Sequence, residues 1–265
     1  MNFNLPHIPE RTSKPRENGI TMMMDKGLSW RQAENFVDSC SDLTDIVKLG
    51  FGTSFVTKDL ERKLEIYKEA GLKTYLGGTL FEAFAIRGMF EDYRKLLDKF
   101  KLEMAEVSDG SILMPHDKKC EYIHTLSKDV TVLSEVGSKE EGILISPGKW
   151  ISMMTSELEA GSWKVIAEAR ESGNVGIYRP NKTAHVSLVN KILANVPPEK
   201  ILWEAPLKAQ QVWFIKLLGA NVNLGNIGHN EVIPLETLRI GLRGDTFLDF
   251  LPKEIQDKHN DNSLF

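Results

Sequence analysis

The sequence has only two cysteines, Cys40 and Cys120, and neither belongs to a CxxC pair. That excludes a disulfide framework and leaves no thiolate pair with zinc spacing. Cys40 falls on the apolar series Trp30, Ala33, Val37, Cys40 and is expected to be a buried small hydrophobe. The six histidines, His7, His116, His124, His185, His229 and His259, are scattered, with no pair at ligand spacing. No apolar run approaches the roughly 18 residues of a membrane span. Met1–Asn18 carries Pro6, Pro9, Pro15 and mixed charge rather than the apolar core of a signal peptide, which points to the cytoplasm. An excess of positive charge is also missing. The 33 Lys and Arg against 37 Asp and Glu give a net charge of −4, so no general basic field would hold nucleic acid or anionic lipid.

What is present is 265 residues of ordinary globular composition, 42% hydrophobic and 26% charged. Eight short apolar runs recur: Ile20–Met24, Ile46–Leu49, Thr74–Leu76, Met104–Val107, Val130–Leu133, Val165–Ala167, Ile201–Trp203 and Val222–Leu224. Each is short, and six of the eight are followed directly by Gly, Ser or Asp, as strands buried on both faces often are. Helical spacing lies between them, for example Leu60, Leu64, Tyr67 and Val186, Val189, Leu193, Val196. Eight strands alternating with helices, and no Gly-rich linker, predict a single-domain (β/α)8 barrel over residues 19–251. Residues 1–18 then form an N-terminal arm and residues 252–265 a C-terminal tail. A doubly wound open sheet is the competing fold, but no GxGxxG follows the first run.

In such barrels chemistry sits at the carboxyl ends of the strands. Those ends carry Asp25 and Lys26, Lys48, Gly77-Gly78-Thr79 with Glu82, Glu106 and Ser108, Glu135, Glu168 and Arg170, Glu204, and Asn226. Alternation puts Glu106 with Ser108, and Glu168 with Arg170, on one face of their strands. Buried charges are costly unless paired or bound, so a ring of acids mixed with cations predicts a functional mouth. Carboxylate oxygens of this kind suit Mg²⁺, with Glu106, Glu135, Glu168 and Glu204 as candidate ligands. Lys26, Lys48, Lys139 and Arg170 among them imply a small, multiply anionic substrate. Gly225 and Asn226 read as part of a phosphate-binding loop after the eighth strand. Lys48 is open to two readings: pairing with Asp25 or Glu82 beside bound substrate, or a Schiff-base nucleophile among apolar neighbours.

The same stretches resemble one family. Asp25-Lys26-Gly27-Leu28, Val47-Lys48-Leu49-Gly50-Phe51-Gly52-Thr53, Gly77-Gly78-Thr79-Leu80-Phe81-Glu82 and Glu106-Val107-Ser108-Asp109-Gly110 come in that order. They are followed by Glu135-Val136-Gly137, Glu168-Ala169-Arg170-Glu171-Ser172-Gly173, Glu204-Ala205-Pro206 with Gln210-Gln211, and Leu235-Glu236-Thr237-Leu238-Arg239 leading to Gly244-Asp245-Thr246-Phe247. Together they resemble the phosphosulfolactate synthases of the coenzyme M pathway and their plant relatives described as heat-stress-associated proteins. The resemblance implies a Mg²⁺-dependent addition of sulfite to C3 of phosphoenolpyruvate giving (2R)-3-phosphosulfolactate, a step shared by coenzyme M synthesis and sulfolactate production.

It further implies that Lys139, just after the Glu135-Val136-Gly137 motif, is the acid that protonates C2. Arg170, Lys26 and Lys48 would bind the anionic groups, and Asp25, Glu82 and Ser108 are further substrate-binding candidates, with Asp25 and Glu82 alternatively holding the lysines in place. Ile112–His116 departs from the family pattern, and His229-Asn230 sits in the stretch read as the phosphate loop. Two other functions compete with this one: a lysine-dependent aldolase on a phosphorylated substrate, and a non-catalytic stress-related barrel. The apolar barrel helices also leave self-association open.

Overall fold

The computed structural model describes residues 2–137, 145–170 and 172–260. Its eight strands are β1 (Thr21–Asp25), β2 (Ile46–Leu49), β3 (Lys73–Leu76), β4 (Met104–Val107), β5 (Thr131–Val136), β6 (Lys164–Ala167), β7 (Ile201–Glu204) and β8 (Leu224–Gly228). The described helices are α1 (Trp30–Cys40), α2 (Leu60–Glu69), α3 (Gly78–Ala85), α4 (Phe90–Lys99), α5 (His116–Leu126), α6 (Pro147–Glu159), α7 (Val186–Leu193), α8 (Lys208–Leu218), α9 (Val232–Arg239) and α10 (Lys253–Asn260). All paired strands are parallel, in the order β3-β2-β1-β8-β7-β6-β5-β4. The ladder is nearly closed: β3 and β4 face one another across the last gap, where the Gly78 N–H donates to Glu106 Oε1 at 2.7 Å. This is the expected (β/α)8 barrel, in one domain.

Strand alternation sorts the core into two layers. Ile20, Met22, Ile46, Tyr75, Met104, Leu133, Ile166 and Leu202 fill the barrel interior. The intervening residues, among them Met23, Val47, Leu49, Ala105, Val107, Ala167 and Trp203, pack outward against the helices. Moving two residues along each strand from the inner layer reaches Met24, Lys48, Gly77, Glu106, Glu135, Glu168 and Glu204. Pleat geometry thus turns a hydrophobic plug into a polar floor within one repeat.

The eighth strand departs from the sequence expectation. The stretch read as a loop, Gly225-Asn226-Ile227-Gly228, is the strand itself. Gly225 points into the barrel, where an added Cβ would stand 2.5 Å from Met22 Cε, so a side chain there would collide with the interior. The β1–β8 register then slips between Thr21 and Met23, and Asn226 takes a left-handed conformation at φ 57°. Such a bulge re-aims one side chain, and here it turns Asn226 into the mouth.

The amino end of the barrel is closed by the N-terminal arm. Arg11 pairs with Glu236 at 2.9 Å, Arg16 with Asp45 at 3.0 Å, and Glu17 accepts from Trp163 Nε1 at 3.1 Å. Beneath the arm, fully buried Arg239 donates to the carbonyls of Ala220, Val222 and Ile20. Cys40, the last residue of α1, is buried in the core, as its spacing predicts.

Candidate active site

At the carboxyl end a cavity of about 380 Å³ is lined by Met24, Lys48, Gly50, Phe51, Gly77-Gly78-Thr79, Ser111, Ala169, Arg170, Ser172, Asn226 and four glutamates. Those are Glu106, Glu135, Glu168 and Glu204, each at most 3% exposed. Lys48 reaches up from β2 into their midst. Its ammonium lies 3.0 Å from Glu106, 3.3 Å from Glu204 and 3.4 Å from Glu135. Burial alone would lower the Lys48 pKa, but Glu106, Glu204, Tyr75 and Glu135 together hold it well above the ordinary lysine range. Lys48 is therefore a fixed cation, which disfavours its service as an imine-forming amine.

The carboxylates are held from behind. Glu106 accepts the Gly78 N–H at the start of α3, and Glu204 accepts the Ala169 N–H at 2.8 Å. Gly78 must be glycine for this approach, since a Cβ there would stand 2.5 Å from Glu106 Oε1. Burial, with Glu135 and Glu106 nearby, pushes the Glu204 carboxyl up to about 7 against the opposing pull of Lys48 and the Ala169 N–H. Among the described residues, four carboxylates thus face two cations, Lys48 and Arg170, and one carboxyl already binds its proton more tightly than usual. The arrangement offers hard oxygen donors beside fixed cations, which is the chemistry of an oxygen-ligand and anion site rather than a zinc site. Among the described residues no three acidic, His or Cys side chains gather at a common point in ligand geometry; the Lys48 ammonium stands between three of the glutamates.

Arg170, exposed at the rim, makes no ion pair among the described residues and is presented to whatever enters. The other predicted residues separate into groups. Asn226 lines the cavity, with Nδ2 donating to the Ala169 carbonyl at 3.5 Å, whereas Gly225 is packed below it. Glu82 and Ser108 hydrogen-bond one another just behind the wall, and Glu82 Oε2 also accepts from the Ser111 N–H at 3.1 Å. Lys26 is exposed beyond β1 and does not line the cavity.

Asp25 shares the outward parity of Met23. It accepts the N–H groups of Gly27 and Leu28 and pairs with Lys63 at 2.7 Å and the Tyr67 hydroxyl at 2.9 Å, both on α2. The expected partnership of Lys48 with Asp25 or Glu82 is thus replaced by Glu106, Glu135 and Glu204. Lys139 lies outside the described residues.

Sequence reading missed Lys119. It is fully buried on α5 and its ammonium meets Glu157 at 2.8 Å, Asp109 at 2.9 Å and the Glu135 carbonyl at 2.6 Å. The β4–β5 register ends at Val107–Ser134, so β5 continues past its neighbour and the Glu135 carbonyl loses its ladder partner. Lys119 supplies the missing donor and ties the Glu135 strand end to the loop that carries Ser111. The available signal was a lysine on the apolar spacing Lys119, Ile123, Leu126. Ser111, Ser172 and Phe51 also reach the cavity, although no role was read for them from the sequence.

The comparisons with known proteins agree with this geometry. Residues 9–245 match the family model described as (2R)-phospho-3-sulfolactate synthase. The chain is 39% identical over 250 residues to the phosphosulfolactate synthase of Bacillus subtilis (strain 168), covering 93% of this chain and 99% of that protein. It is 38% identical over 244 residues to the phosphosulfolactate synthase of Methanothermobacter thermautotrophicus, covering 90% and 95%. Among solved structures, 3-hexulose-6-phosphate synthase from Salmonella typhimurium superposes with a TM-score of 0.55 at 13% identity, covering 84% of this chain and 100% of that one. A fungal endo-β-N-acetylglucosaminidase superposes at 0.56 with 11% identity, covering 83% and 98%. At such identities these two share the barrel alone.

Proposed function

The chain belongs to the (2R)-phospho-3-sulfolactate synthase family, enzymes of the carbon–sulfur lyase type, and from that premise we propose that its carboxyl-end cavity adds sulfite to C3 of phosphoenolpyruvate in the presence of Mg²⁺. The observation that carries this reading is the set of four buried glutamates lining the cavity, three of them around the fixed Lys48 ammonium, open on one side to Arg170. Sulfite is itself a good nucleophile, so the protein need not activate a serine or cysteine. Its sulfur lone pair forms the C–S bond at C3, and the C2–C3 π pair moves onto C2 and the carboxylate. A proton delivered to C2 completes (2R)-phospho-3-sulfolactate with the phosphate ester intact on the C2 oxygen.

The chain's own groups divide this work. Arg170, unpaired among the described residues, takes an anionic group of the substrate at the rim. Lys48 fixes Glu106, Glu135 and Glu204 and places positive charge beneath the developing enolate-like carboxylate. Asn226, turned inward by the β8 bulge, helps to orient the phosphate. Lys139 is the acid at C2, an assignment resting on its place just after Glu135-Val136-Gly137. Glu135 and Glu168, with Glu106 and Glu204 beside them, would hold Mg²⁺, which supplies charge neutralisation at the substrate carboxylate. Asp25, facing α2, anchors the loop that carries Lys26, and Glu82 with Ser108 braces the Ser111 loop.

No helix among the described residues is long and apolar enough to cross a membrane, and a cytoplasmic setting fits substrates of this kind. The test is incubation with phosphoenolpyruvate, sulfite and Mg²⁺, with a chelator control, read by mass spectrometry. A metal-dependent phosphosulfolactate supports the reading; folded protein that forms none rejects it.

A further inference from the structure

Among the described residues six non-glycine positions have positive φ, and two of them, Phe51 and Asn226, line the same cavity. Asparagine tolerates the left-handed region, but for a bulky side chain it is a strained conformation. Phe51, at φ 57°, is the one apolar residue of the six. The turn that imposes it is held on both sides. The Gly50 carbonyl accepts the Thr53 N–H at 3.0 Å and the Thr53 hydroxyl at 2.8 Å, and the Gly52 carbonyl accepts the Phe55 N–H at 3.0 Å. Gly50 lies against Met24, where a Cβ would stand 2.9 Å from Sδ, so the strand end cannot relax inward.

This strain is not offset by burial, because Phe51 remains 52% exposed. Backbone strain that core packing does not repay gathers at functional sites. Among the described residues the rest of the lining is charged, hydroxylic, amide or glycine, with Met24 and Ala169 as the further apolar contacts. Phosphoenolpyruvate has polar groups for the cations at its carboxylate and phosphate, but its C2–C3 unit is apolar and needs a different surface.

Resting on the phosphoenolpyruvate reading, we propose that Phe51 is the specificity-determining cover of that C2–C3 unit. It packs over the substrate's methylene, keeps bulk water off the carbon that receives the proton, and leaves no room for a substituent on C3. The strained turn presents the aromatic residue at the lip instead of letting it fold into the helical layer. Asn226 and Phe51 thereby use left-handed backbone for opposite ends of one ligand: the amide for its polar end, the aromatic for its carbon framework.

The test compares the full-length wild type with Phe51→Gly and Phe51→Leu. Glycine relieves the strained backbone, so its melting temperature is expected to stay level or rise by up to about 3 °C. Its kcat/KM for phosphoenolpyruvate should fall at least about tenfold, and its relative use of a 3-methyl-substituted enol phosphate should increase. Phe51→Leu, which restores an apolar cover, should stay within about threefold of wild type. A glycine variant within twofold of wild type, or a leucine variant as impaired as the glycine one, overturns the proposal. A wild type that makes no phosphosulfolactate rejects the reaction itself, and the Phe51 assignment falls with it. A wild type that turns over alongside an equally active Phe51→Gly rejects Phe51 alone.

Discussion

The two ends of the barrel solve the problem of buried charge in opposite ways. At the amino end, cations are met by neutral backbone oxygens or by a single matched acid. Lys164 donates to the carbonyls of Glu17 at 2.7 Å and Glu199 at 2.6 Å, and Arg239 to three carbonyls. Arg11 and Arg16 each have one carboxylate partner. At the carboxyl end, three glutamates crowd around one lysine and a fourth lines the same cavity, with one arginine at the rim. The first arrangement is complete without any ligand and serves the fold. The second gathers its acids and cations around an open cavity, where an entering ligand can meet them.

That contrast can be broken from the largest effect downward. Lys139→Ala should lower kcat by about a thousandfold or more while substrate binding and melting temperature hold; near-normal kcat would remove Lys139 from the reaction. Glu168→Gln should cost about a hundredfold in kcat/KM and raise the Mg²⁺ concentration needed for half-maximal rate, read by metal titration of the rate. At the other end, Arg239→Met should leave kcat per folded molecule unchanged and destabilise by about 3–5 kcal/mol in denaturant unfolding, because it strands the three buried carbonyls that Arg239 Nη1 and Nη2 serve. Lys119→Met falls between the two classes. It removes the lysine from Asp109 and Glu157, leaving Glu157 only His116 among the described residues, and also frees the Glu135 strand end, so both stability and kcat should drop.

The smallest effects are those of pH, and their signs differ between the two ends. The Glu204 carboxyl is raised to about 7, above the unfolded value near 4.5. Between those values the folded state binds more protons, so stability present below about pH 4.5 should decline as pH rises toward 7. Burial lowers the Lys164 pKa to about 8, below its unfolded value of 10.5. There the unfolded chain binds more protons, so stability should increase from about pH 8 to 10.5. Glu204→Gln and Lys164→Met should each flatten the corresponding limb of a stability–pH curve.

Much of this contrast was legible in the residues. The parity of each strand carries the interior apolar layer directly to Lys48, Glu106, Glu135, Glu168 and Glu204, and parity is a local property of sequence. The same rule, applied to β1, sets Asp25 beside Met23 on the outer face, where Lys63 and Tyr67 meet it. What local pattern could not carry was the β8 bulge. The inward turn of Asn226 depends on Gly225 fitting beneath Met22 and on a register slip against β1, both of which are tertiary facts. Lys119 was hidden for a related reason. Its role follows from where β4 stops relative to β5, and a lysine on a helix reads as a surface residue until that geometry is known.

The most direct measurement is the reaction run in deuterated water with phosphoenolpyruvate, sulfite and Mg²⁺, with the product examined by mass spectrometry and chiral separation. The account predicts a phosphorylated sulfonate carrying one deuterium at C2 in a single configuration, lost on chelation. No carbon–sulfur adduct, or an adduct that has shed its phosphate, would contradict it.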